Sequence, residues 1–168
     1  MTAAIICPGP SWVHHQPADL TIGVNRAAIF VQCDVWCACD LPRIMESGQE
    51  VKGRPLLLTQ TATINAMTKA LVPWPGGSEC LDTLPGMKGT KALARIYSAT
   101  SAIIYAADRG AKTITLYGAD WTGTRDADGV AAGANRGEQR WKDEERIFRM
   151  LQRELAKDGC TLTRYGDQ

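Results

Sequence analysis

The sequence predicts an α/β protein: a single domain spanning 1–168, with a mostly parallel, Rossmann-like sheet and helices on both faces. Three observations predict it. Short, continuous apolar runs recur along the chain, as strands covered on both faces require. Helix-length stretches with apolar residues at helical spacing lie between them. At 168 residues, with 45% apolar and 22% charged residues, the chain has the size and composition of one globular domain.

In order, Ala3–Cys7 reads as a first buried strand, Leu20–Val24 as a second and Asp34–Cys39 as a third. Pro55–Thr59 is a fourth. Thr113–Tyr117 is β-branched and stopped by Gly118, and Thr161–Arg164 adds an edge strand. Three helices are expected: Thr61–Leu71, Tyr97–Arg109 ending at Gly110, and Glu138–Lys157 ending at Gly159. The last has an apolar stripe of Trp141, Phe148, Leu151 and Leu155, with Ile147 beside it. Two glycine-rich loops are predicted, Pro73–Lys91 and Gly118–Gly137, long enough to serve as lids or binding loops.

Charge and composition exclude several classes. Lys and Arg total 19 against 18 Asp and Glu, a net charge of +1. Nucleic acid is not indicated, because affinity for duplex comes mainly from neutralising phosphates. No run approaches the roughly 20 apolar residues of a membrane span. Met1–Cys7 lacks the charged start of a signal peptide, so a cytoplasmic location is expected, with the six cysteines reduced.

Ligands of open parallel sheets bind beyond the carboxyl ends of the strands. Those ends carry Pro8-Gly9-Pro10-Ser11, then Asn25-Arg26, then Asp40, then Gly118-Ala119-Asp120-Trp121. Ser98-Ala99-Thr100-Ser101 opens an apolar helix. Gly9 allows close approach of backbone to ligand, and Ser11 offers a hydroxyl or a helix cap. Thr100 and Ser101 suit either capping or a phosphate at the positive helix end. Asp120 can hold a ribose hydroxyl, an acceptor proton or a metal, or close an Asx turn. Trp121 can stack on a base or pack. His14-His15 and Cys33, Cys37 and Cys39 lack metal-site spacing; the histidines read as a solvated pair and the thiols as buried structure. Arg146, Arg149 and Arg153 lie among Asp143, Glu144, Glu145 and Glu154, as on an ion-paired solvated face.

The order strand, Gly-Pro-Ser; strand, Asn; strand, Asp; Thr-Ser before an Ala-rich helix; strand, Gly-x-Asp-aromatic resembles the bacterial lipooligosaccharide sialyltransferases of glycosyltransferase family 42. It is also similar to the archaeal hydroxymethylpterin pyrophosphokinase-like proteins. The resemblance covers Ile5 to about Phe148. It implies that Gly9, Ser11 and Asn25 contact a nucleotide, that Thr100 and Ser101 face its phosphate or ribose, and that Asp120 marks the active-site end of a strand. This chain has Thr100-Ser101-Ala102 where the sialyltransferases have Thr-Ser-Gly, and no histidine after His15. The base would then be Asp120, Asp126 or Asp128.

The expected function is a transferase using a nucleotide-activated, sugar-type donor. Gly9, Ser11, Asn25, Asp40, Thr100, Ser101 and Trp121 form the nucleotide site, and Asp120 is the catalytic residue. No resident cofactor or protein metal site is predicted. Two alternatives stand beside this: a nucleotide-binding or sequestering protein without catalysis, and a pyrophosphoryl transferase that would need Mg²⁺ at carboxylates such as Asp40 and Asp120.

Overall fold

A computed structural model of the chain describes residues 1–71, 74–121 and 137–167. Seven strands form one sheet: β1 (Thr2–Ile6), β2 (Leu20–Val24), β3 (Val35–Cys37), β4 (Leu56–Thr59), β5 (Ser78–Cys80), β6 (Thr113–Tyr117) and β7 (Thr161–Arg164). Their spatial order is β5-β4-β3-β2-β1-β6-β7, and every pairing is parallel. Five α-helices accompany them among the described residues: α1 (Ala27–Phe30), α2 (Leu41–Ser47), α3 (Thr61–Lys69), α4 (Ser98–Asp108) and α5 (Glu138–Lys157). The α/β, Rossmann-like architecture is as the sequence predicts.

Strand alternation sorts the core into two sides. Ala3, Ile5 and Cys7 of β1 and its end point to one face, with Ile22, Val24, Val35, Cys37, Ile114 and Leu116. Ile103 and Ala106 of α4 and Ile147, Phe148, Leu151 and Leu155 of α5 fill that side. On the other face, Trp36 and Leu57 meet Ala28 of α1, Ile44 of α2 and Met67 of α3. Gly23 lets α1 come close: a Cβ there would lie 3.0 Å from the Cα and Cβ of Ala28. The helices thus divide between the faces, which is why the central strands read as continuous apolar runs.

Strand β5 falls inside the segment expected to be a glycine-rich loop. It is a three-residue edge strand, Ser-Glu-Cys, with no apolar run to betray it. An edge strand needs little apolar content, because one side faces water. Strand β3 is shorter than its apolar run, and Ala38 and Cys39 continue beyond it. The expected loop over 118–137 falls, from 122 to 136, outside the described residues, as do Asp126 and Asp128. No helix of the described residues is long and apolar enough to cross a membrane.

The two histidines join a ring cluster beside β6. His14 stacks on Tyr165 with centroids 4.8 Å apart, and Tyr165 stacks on Tyr117 at 5.8 Å. Arg146 and Arg149 pair with Asp143 and Glu145 along α5, as a solvated face would. Arg149 also reaches Asp167 at 2.8 Å, and Arg164 donates from Nε to the same carboxylate at 2.9 Å. This carboxylate ties α5 to the end of β7.

Burial raises the Asp167 pKa, but hydrogen bonds from Arg164 and Arg149 and their charges outweigh it and hold it below the usual value. A lowered carboxyl pKa contributes stability above the unfolded-state value, and that contribution is lost as pH falls through the folded-state value. Asp167→Asn is therefore expected to lower the melting temperature at pH 7. The gap to the native chain should close as the pH is taken below the ordinary carboxylate range, measured by thermal unfolding across pH.

Candidate nucleotide cleft at the sheet switch point

The chain builds the sheet outward from β1 to β5, then returns to pair β6 against the other side of β1. Connections therefore leave β1 and β6 in opposite directions, and a crevice opens beyond their carboxyl ends. The two turns that floor it are tied together. Cys7 N–H donates to the Tyr117 carbonyl at 2.7 Å and Gly9 N–H to the Gly118 carbonyl at 2.9 Å. Gly118 N–H donates to Ser11 Oγ at 3.0 Å, and Ser11 N–H donates to Asp120 Oδ2 at 3.1 Å. Ser11 and Asp120 thus act first on each other's loops.

This approach requires glycine at both turns. A Cβ on Gly9 would sit 2.3 Å from the Gly118 oxygen and 2.5 Å from Asp120 Oδ2. Gly118 has φ of +67°, and a Cβ there would lie 2.1 Å from the Cys7 oxygen. Three residues on, Trp121 adopts φ of +48°, a conformation rare for a bulky side chain. Its ring packs edge-on to Phe148, with centroids 5.2 Å apart, while the Arg164 guanidinium lies 4.2 Å from the ring centre. Arg164 Nη1 also donates to the Ala119 carbonyl at 3.3 Å. Trp121 lines the cleft but spends much of its ring on these contacts.

Asn25, at the end of β2, has φ of +50°. Its backbone is fully used: the N–H donates to Cys37 O at 3.0 Å, and its carbonyl accepts from Trp36 Nε1 at 2.8 Å. Its Oδ1 is buried and has no hydrogen-bond partner. The residue lines the cleft, opposite the start of α4.

Helix α4 presents Ser98 and Ala99 to the cleft, and no side chain caps its first turn. Thr100 and Ser101 do not line it. Thr100 Oγ1 donates to the carbonyl of Tyr97 at 3.0 Å, Ser101 Oγ donates to that of Ala94 at 3.2 Å, and both residues are buried. Their hydroxyls fasten the helix start, and Ser98 is the hydroxyl the cleft receives. Asp40 begins α2 with an extended backbone, is exposed and is not among the residues lining the cleft. Among the described residues, no group of three or more His, Cys, Asp or Glu is placed to hold a metal ion.

Of the three neighbouring thiols, Cys33 and Cys37 are buried and Cys39 is half-buried, and none of them lines the cleft. Burial pushes Cys33 up to about 11. The Cys39 thiol and burial hold Cys37 well above its ordinary range, while the Cys37 interaction keeps Cys39 below it.

The first turns of α5 close the cleft with Arg140, Trp141 and Glu144. Arg140 donates from Nε and Nη2 to Glu144 Oε1 at 3.2 and 3.1 Å, and its guanidinium lies 5.0 Å from the Tyr97 ring centre. Glu144, expected on the solvated face with its charged neighbours, instead lines the cleft beside Arg140. The missed signal is spacing: Glu144 falls on the line of Trp141, Phe148, Leu151 and Leu155, so a charged residue stands in the apolar stripe. The cleft as a whole takes in about 540 Å³ of empty space, its open mouth included.

Gly9→Ala is expected to cost about 2 kcal/mol or more, because backbone oxygen must move, and to lower the melting temperature by roughly 4–8 °C. Gly53→Ala is the control: φ is +74° there but nothing lies within 4 Å of the added Cβ. It should cost only the left-handed strain of about 1–2 kcal/mol. Thermal unfolding of both variants separates close approach from backbone strain. Comparison with protein-family models, with curated proteins and with solved structures finds no match to this chain.

Proposed function

We propose that the chain binds a nucleotide-activated donor, of the nucleotide-sugar type, and transfers its activated group to an acceptor. Several features of the cleft support this reading. It lies where open α/β sheets take nucleotides. The uncapped first turn of α4 and the Arg140 guanidinium both favour a phosphate. Asp120 and Glu144 supply carboxylates to an acceptor hydroxyl in the same cleft.

The observation that carries the reading is Asn25. Its Oδ1 is a buried acceptor with no partner in the chain. Such an orphan costs about 1–3 kcal/mol, and a left-handed backbone holds it in place. An N–H or O–H donor from a base or ribose would satisfy it. Gly9 and Ser11 then serve by shaping the floor, and Ser98, in place of Thr100 and Ser101, offers its hydroxyl to the phosphate or ribose.

A non-catalytic nucleotide-binding protein is the second reading. It is favoured by the commitment of Asp120 Oδ2 to Ser11 N–H, which leaves that carboxylate partly engaged in structure.

Melting curves with cytidine, uridine, adenosine and guanosine phosphates and their sugar conjugates, each with and without Mg²⁺, test the proposal. A ligand at about 100 times its Kd adds roughly 2.7 kcal/mol, or about 5 °C or more for a domain this size. Asn25→Gly keeps the left-handed backbone and removes the acceptor; it should abolish the shift while the unliganded melting temperature changes little. A panel that is silent throughout overturns the proposal.

A further inference from the structure

Resting on the transferase reading above, we infer that Glu144 is the general base of the cleft and that Arg140 holds its carboxylate until an anionic donor arrives. Glu144 is the charged residue that the described core buries, at 8% exposure. The position lies on the apolar stripe of α5, between Trp141 and Phe148, where leucine or methionine would pack without desolvating a charge. The carboxylate there is in contact with Arg140 at 3.1 Å. Both residues line the same cleft as Asp120 and Asn25.

The pair is also arranged to separate. Arg140 stands one helical turn before Glu144, and its side chain keeps 30% exposure. Its guanidinium rests on the Tyr97 ring, next to the uncapped start of α4 where a phosphate is favoured. A phosphate entering there competes with Glu144 for the same guanidinium N–H groups. Drawn toward the phosphate, Arg140 compensates the carboxylate less. A Glu144 oxygen released in this way faces the cleft, where an acceptor hydroxyl can hand it a proton.

In the step itself, the acceptor O–H proton passes to a Glu144 oxygen as the acceptor oxygen bonds to the activated carbon of the donor. The bond from that carbon to the phosphate oxygen breaks, and its electron pair stays on the phosphate. Arg140 then faces the charge released there. With water as acceptor the same step is donor hydrolysis, which needs no knowledge of the natural acceptor.

The test uses the whole chain and a cytidine monophosphate sugar as probe. Binding is followed by melting shift, and release of cytidine monophosphate by chromatography from pH 5 to 9. Glu144→Gln should bind the probe within about 2-fold of the native chain yet release product at least about 100-fold more slowly. The acidic limb of the native pH profile should disappear in this variant. Glu144→Ala should regain activity with added formate, a rescue that a structural role would not give and that serves if the glutamine variant folds poorly. Arg140→Lys should weaken probe binding. If Glu144→Gln releases product at the native rate, or if the native chain binds the probe without hydrolysing it, the inference is overturned while the nucleotide site stands. If the native chain does not bind this probe or any nucleotide of the panel, both readings fall.

Discussion

The close tie between the turns that follow β1 and β6 is the constraint on which the site depends. Gly9 and Gly118 bring two backbones within hydrogen-bonding distance, and Ser11 and Asp120 lace the loops across them. A side chain at either glycine would overlap a carbonyl oxygen. Because β1 and β6 are the strands that flank the switch point, this tie fixes the floor of the crevice. The remaining cleft residues are placed relative to it: Asn25 from the neighbouring β2, Ser98 from the helix over β1, and Trp121 from the turn itself.

Electrostatics in the cleft is set by what helices α4 and α5 leave unfinished. The start of α4 has its hydroxyls turned inward onto carbonyls, so its first-turn N–H groups receive no side-chain cap. Facing it, α5 brings a guanidinium and a buried carboxylate in contact with each other. A positive helix end and an arginine favour an anion, and a desolvated carboxylate changes its proton affinity when its cation moves.

The C-terminal end of the sheet steadies the other wall. Arg164 covers Trp121 and donates to Ala119, while Asp167 holds Arg164 and Arg149 together. Trp121 keeps its left-handed backbone between these contacts and Phe148. Residues near the end of the described chain thus support the wall of a cleft whose floor begins at Cys7.

The sequence by itself determined the secondary structure of the central strands and the long helices, because continuous apolar runs and a helical stripe are local patterns. It also placed Gly9, Ser11, Asn25 and Asp120 at strand ends, since a parallel sheet puts all its carboxyl ends on one edge. Strand β5 escaped it, because a polar edge strand has no apolar signature. What each side chain does was decided only by tertiary structure. Thr100 and Ser101 lie in a motif that suits a phosphate, yet they bond to carbonyls of the preceding segment. Ser11 and Asp120 met across more than a hundred residues of chain, a pairing with no local trace. Arg140 and Glu144 became cleft residues because α5 packs its stripe toward β7 and α4. Periodicity shows that one side of a helix is buried; only packing shows what that side is buried against.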